Sequence, residues 1–189
     1  MKQARVPTEA ELKRLFATIA MGKHAGRNRA AVALSYYGGL RVGEIAALVW
    51  SDVVDRDGRA RELIQLRAET TKTDDSRAIY VSERLRKELT QYVKSLKERP
   101  AADAPFLLTQ QKTSFSPNTL CKLFGHLYEE AGIDGASSHS GRRFFITKLA
   151  HSGISPKVIM ELAGHANLTT TQRYIECTPD MMKAAVEVV

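Results

Sequence analysis

Cysteine is nearly absent: Cys121 and Cys177 are the two in 189 residues, far apart and without CxxC spacing. That excludes a disulfide framework and a zinc ribbon, and both read as reduced thiols. No apolar run approaches the ~20 residues of a membrane span, and there is neither an internal repeat nor a low-complexity linker. The start, Met1 to Pro7, carries a basic pair with no apolar stretch behind it, unlike a secretory signal. A soluble, cytoplasmic protein with no membrane partner is expected. Acidic residues are the scarcer sign, 21 against 28 Lys plus Arg, for a net charge of +7. Such a surplus suits a polyanion, because each Lys or Arg that neutralises a phosphate releases condensed counterion. Charge alone equally fits basic proteins that bind no nucleic acid.

What is present is helical periodicity with one interruption. The length suits one domain, since a chain of ~150 residues buries roughly 70% of its unfolded surface. Thr8 and Glu11 form a capping box ahead of Leu12, Leu15, Phe16 and Ile19. Residues 29–37 are apolar on more than one face and stop at Gly38-Gly39, as a buried helix would. A short third helix is expected over 42–48. Residues 63–66 and 78–81 are rich in strand formers and flank the polar stretch 70–76, predicting an antiparallel hairpin with a charged tip. Helical periodicity resumes over 83–98, ending before Pro100. Ser116-Pro117 and Gly132 bracket a further helix. Helices are also expected over 141–151, 156–163, 168–175 and after Pro179. The fold class is mainly α with a small antiparallel β-sheet, in one domain over 1–189, with 176–189 as a C-terminal tail.

Five segments place basic or hydroxyl side chains at helix starts or loop tips. Arg41 follows a glycine pair and opens a helix, where a guanidinium can join the helix N-terminus in holding an anion. Pairing with Glu44 at the surface is the plainer reading of that residue. Lys72 at the hairpin tip could protonate a leaving oxygen, or simply be solvated. His139 and Arg142 sit one turn apart at a helix start, where one can take a proton while the other clamps a phosphate. A capped helix with exposed basic residues fits them as well. His165 follows Gly164 at a helix end, and Tyr174 follows one short element later. A lone tyrosine is more often a half-buried core residue than a nucleophile.

Taken together, Arg41 with Glu44, Lys72, His139-x-x-Arg142, Gly164-His165 and Tyr174 resemble, in order and spacing, the tyrosine recombinase or phage integrase family. The likeness runs from Pro7 to the helix after Thr178 and includes Trp50-Ser51-Asp52 and Ser152-Gly153. It implies the catalytic-domain fold of that family and a type IB transesterification on double-stranded DNA. Arg41 and Arg142 would bind the scissile phosphate, His139 would assist removal of the tyrosine proton, and His165 would support nucleophile and phosphate. Lys72 would protonate the departing 5′ oxygen, Glu44 would support the site, and Tyr174 would become a 3′-phosphotyrosine. Arg143, Lys148 and Arg173 are expected to contact DNA. No metal and no cofactor is expected, since fixed cations stabilise the charge and the covalent intermediate conserves bond energy.

Two departures stand out. Arg143 and Phe144 follow Arg142 where the family often has Ser or Thr two residues on. The core-binding domain, and the arm-binding one, that usually precede this region in the family are expected to be absent, as in an excised catalytic domain or in a short recombinase similar to the fimbrial phase-switch invertases. The resemblance further implies a tetramer on DNA, a monomer when free, and a tail helix docking in trans or in cis. The alternatives are a catalytically silent DNA-binding regulator of the same fold and a type IB topoisomerase. A metal site from His139, His151, His165 and Cys177 matches no zinc spacing. His24, His126 and His151 read as surface or helix-end residues.

Overall fold

Helix α1 (Glu9–Ala20) begins where the capping box puts it: Thr8 Oγ1 accepts from the Glu11 backbone N–H, and Glu11 answers by accepting from the Thr8 N–H. Leu12, Leu15, Phe16 and Ile19 fall on one helical stripe and are all buried. They lie against α2 (Ala25–Gly38), which is enclosed over Ala30 to Leu34 and at Tyr36. The α2 helix begins four residues before the predicted start, so its first turn carries the polar residues that hid it. It packs on α1, α5 (Glu83–Ser95) and α7 (Ser140–His151) and forms the axis of the fold. Arg29 grips Glu88 of α5 with two parallel bonds of 2.8 and 2.6 Å, and the Tyr36 hydroxyl bonds that of Tyr128 on α6 (Pro117–Glu130).

The computed structural model describes residues 4–67, 77–175 and 179–187. After α2 come α3 (Val42–Ala47) and an unanticipated single turn, α4 (Trp50–Val53), in which the Asp52 carboxylate accepts from the Val49 N–H. Strands β1 (Leu63–Leu66) and β2 (Arg77–Tyr80) pair antiparallel, with Leu63 opposite Tyr80 and Leu66 opposite Arg77. The predicted hairpin is therefore present, its second strand shifted by one residue, while its expected tip at 70–76 lies outside the described residues.

Helix α5 ends at Ser95 rather than at 98, because Leu96 turns to extended backbone. The remaining elements are α8 (Pro156–Ala163), α9 (Leu168–Gln172) and α10 (Pro179–Val186). The α9 helix stops short of the predicted 175. A large core joins α1 to α6 and the sheet, and a satellite cluster of Ile146, Ala150, Ile159 and Ala163 seats α8 on α7, with Phe145, Leu149, Tyr174 and Ile175 against it. The last turns of α2 and α8 thereby face each other across α7, whose Gly141 admits Ser35 and Tyr36 where any Cβ would collide.

Candidate active site

The site assembles on carbonyl groups. Gly164 takes the left-handed conformation (φ +61°) and ends α8, so the last carbonyls of that helix, its negative pole, are open to donors. Three consecutive ones are claimed by three different arginines. Arg77 Nη1 donates to the Leu162 oxygen at 2.7 Å, Arg142 Nη2 to Ala163 at 2.5 Å, and Arg41 Nη2 to Gly164 at 3.1 Å. Arg142 Nη1 also donates to the Gly39 oxygen (2.7 Å), at the left-handed cap that ends α2. Residues from α2, α3, β2, α7 and α8 are thus tied into one node.

One buried carboxylate serves this node. Glu44 Oε1 accepts from Arg41 Nη1 at 2.7 Å, while Oε2 accepts from Arg77 Nη2 at 2.7 Å and from the Arg41 backbone N–H at 2.8 Å. Among the described residues, three guanidinium groups against one carboxylate leave an excess of positive charge in a place largely shut from water. Burial pushes Arg142 down to about 9, reinforced by Arg41 and Arg77, while Glu44 and the Tyr174 phenol act in the opposite sense. Burial by itself would raise the Glu44 carboxyl, but Arg77 and Arg41 hold it below the usual range. Such an arrangement favours an added anion.

His165 follows the Gly164 cap. Burial first, then the charges of Arg142, Arg41 and Arg77, push it down to about 4, so its imidazole is neutral at pH 7. Its Nδ1 lies 2.9 Å from the hydroxyl of Thr171, which is fully buried on α9. Nε2 is then the nitrogen left for a ligand. Tyr174 stacks on the imidazole with ring centroids 6.1 Å apart and planes 20° from parallel, and its backbone N–H closes the turn onto the Thr171 oxygen.

Of the residues singled out in the sequence, Arg41, Glu44, Arg142, His165 and Tyr174 come together here. His139 lies in the cap position of α7, one turn before Arg142, and is exposed. Lys72 lies outside the described residues. Arg143 rests 5.5 Å above the Tyr174 ring and donates to the Ala4 carbonyl. Lys148 is turned toward α1, where it pairs with Glu9 at 2.8 Å, and Arg173 is exposed beside Tyr174. Among the described residues, no group of three or more His, Cys, Asp or Glu is placed to hold a metal ion. His24 stands at the cap of α2, His126 is an exposed partner of Glu130, and His151 is the exposed last residue of α7.

Arg77 and Thr171 escaped the sequence reading. The signal for Arg77 is the two-residue alternation of β2, which puts it on the buried face with Ile79. A charged residue in line with a core position calls for a buried partner. Thr171 offered no such mark within a run of three threonines.

The model of the phage integrase family matches residues 5–180. The chain belongs to that family. A tyrosine recombinase XerA from Pyrococcus furiosus is 33% identical over 184 residues, covering 95% of this chain and 60% of the relative. A XerA from Thermococcus kodakarensis is 32% identical, covering 95% and 61%. The chain thus spans about 60% of the length of these family members. Among solved structures, that of a XerA recombinase superposes with a TM-score of 0.78 at 27% identity, over 98% of this chain and 65% of the other. The Tn1549 transposon integrase, solved in complex with a circular intermediate DNA, gives a TM-score of 0.79 at 23% identity, over 100% and 67%, a likeness of fold. The expected architecture, mainly helical with one small antiparallel sheet, is that of the integrase family's catalytic domains.

Proposed function

We propose that the chain is the strand-cutting unit of a site-specific DNA recombinase, breaking and rejoining double-stranded DNA through a covalent 3′-phosphotyrosine. The observation that carries this reading is the meeting of Arg41, Arg142 and the neutral His165 beside the Tyr174 ring, in a site with surplus positive charge.

The chemistry follows from those groups. Arg41 and Arg142 are each anchored through two nitrogens to carbonyls or to Glu44, which fixes their planes and leaves further N–H donors for phosphate oxygens. Donors fixed in advance stabilise the pentacoordinate transition state without reorganising during the reaction. The Tyr174 oxygen attacks phosphorus, its proton passing toward His139, and the bond to the 5′ oxygen breaks. The departing oxygen takes a proton, in this reading from Lys72. Attack of a 5′ hydroxyl on the phosphotyrosine reverses the sequence and reseals a strand, so no external energy source enters. His165 presents Nε2 to the phosphate while Thr171 holds its other nitrogen.

The exposed Arg173 would meet the DNA backbone, whereas Arg143 would first have to leave the Ala4 carbonyl and Lys148 would first have to leave Glu9. Assembly on DNA as a tetramer is supported by α10, whose Met182 and Val186 are exposed at 57% and 68% and offer a second copy an apolar stripe. No described helix is long and apolar enough to cross a membrane, and we place the activity in the cytoplasm. A nicked suicide duplex carrying the DNA site tests the reading. A protein–DNA adduct stable on a denaturing gel should accumulate with EDTA present. Duplex binding without any adduct would favour a silent regulator of the same fold.

A further inference from the structure

Arg77 has no part in the reaction above, yet its side chain bonds both the carboxylate of the site and the last turn of α8. It stands at the head of β2 on the buried face, 9% exposed, and reaches across to two other elements. Nη2 holds Glu44, the carboxylate that aims Arg41, and Nη1 holds the Leu162 carbonyl in the last turn of α8. Between those bonds the side chain lies flat on Gly164, so closely that a Cβ there would collide with its Cδ and Nε. Among the described residues, its own Nε is buried with no hydrogen-bond partner. A residue kept only to fill this space would be better apolar, because a desolvated guanidinium with an unmet donor is a costly filler.

Resting on the recombinase reading, we infer that Arg77 is a positioning residue for strand cleavage, clamping Glu44 to the glycine cap of α8 so that Arg41 and His165 address the same phosphate. Both groups depend on it. Arg41 is oriented by the carboxylate that Arg77 shares, and His165 is attached to the glycine on which Arg77 lies. Because Lys72 lies in the sequence between β1 and β2, the clamp also ties the strand that follows it to the phosphate-binding node. Lysine cannot replace it. A single ammonium lacks the fork that spans Glu44 and Leu162 from one side chain.

The test compares wild-type chain with Arg77→Lys, Arg77→Met and Tyr174→Phe in three measurements: duplex binding, adduct formation on the suicide substrate, and the titration of His165 by NMR. Both Arg77 variants should bind duplex within about threefold of wild type, because backbone contacts dominate affinity. Both should form adduct roughly 100-fold more slowly, the scale of an ångström of misplacement. The His165 resonances should move in both variants, and the titration midpoint should rise in Arg77→Met as one nearby positive charge is lost. Restoration of near-wild-type cleavage by lysine would show that charge alone matters and overturns the inference. Unchanged His165 resonances, or variants too unfolded to bind duplex, overturn it too. If wild type itself forms no adduct, the recombinase reading fails, and the NMR result alone decides whether Arg77 holds His165 in place.

Discussion

Glu44→Gln removes the carboxylate that, among the described residues, is bound to both Arg41 and Arg77, while keeping its shape. Glu44 is 2% exposed and accepts from two guanidinium groups and one backbone N–H at 2.7 to 2.8 Å. A glutamine keeps one oxygen but turns an NH2 toward a guanidinium, donor against donor, and leaves three arginines with no counter-charge among the described residues. Breaking one side of a buried ion pair costs about 3–5 kcal/mol. For a domain of this size each kcal/mol moves the melting temperature by roughly 2–4 °C, so Tm at pH 7 should fall by roughly 6–20 °C. The pH dependence carries a sign. The carboxyl is held below its ordinary value of 4.5 in the fold, so its contribution is complete above that value and fades as the pH falls through the folded value. The gap between wild type and variant, followed by circular dichroism, should therefore narrow below pH 4.5. Sulfate should raise the variant's Tm more than that of wild type, since an anion bound to the folded state replaces the missing charge. A variant melting within about 2 °C of wild type at pH 7, or a gap unchanged at pH 3, would refute this account of the arginine node.

Other outcomes follow from the same geometry. Thr171→Val deletes the hydroxyl at His165 Nδ1, so it should cost about 1 kcal/mol by chemical denaturation and slow adduct formation while duplex binding holds. His165 titrates at about 4 in the fold against 6.5 as a free group, so the unfolded chain binds its proton first and stability drains as the pH falls from 6.5 toward 4. His165→Gln should flatten that part of a Tm-against-pH curve. Gly141→Ala should destabilise the chain markedly, because the added methyl meets Ser35 and Tyr36, and α7 would have to lift from α2. Thr8→Ala should cost about 1 kcal/mol through the cap of α1 and leave cleavage unchanged.

Those effects divide according to how far a residue's partners lie along the chain. The caps at Thr8, Ser116 and Gly164 and the stripe on α1 were legible because their determinants sit within one turn of each other. The α4 turn was not, since its four residues hold too little periodicity and it is fixed by Val49 and by pairing with the stretch near Pro105. Arg41, Arg142, His165 and Tyr174 could be named as a set only through their likeness to a family, and taken singly each had a plainer reading. What the sequence left open was the scaffold beneath them. Leu162, Ala163 and Gly164 act through carbonyl oxygens, which carry no residue identity. Arg77 meets Glu44 and Leu162 only once α3, β2 and α8 are folded together.

In the proposed reaction the arginines and His165 gather one phosphodiester against the Tyr174 oxygen. The attachment site itself decides this: digest the protein–DNA adduct, trim the DNA, and locate the nucleotide by mass spectrometry. The mass of a 3′-linked nucleotide should lie on the peptide containing Tyr174 and vanish with Tyr174→Phe. A nucleotide on another residue, or an adduct undiminished in that variant, would contradict the account.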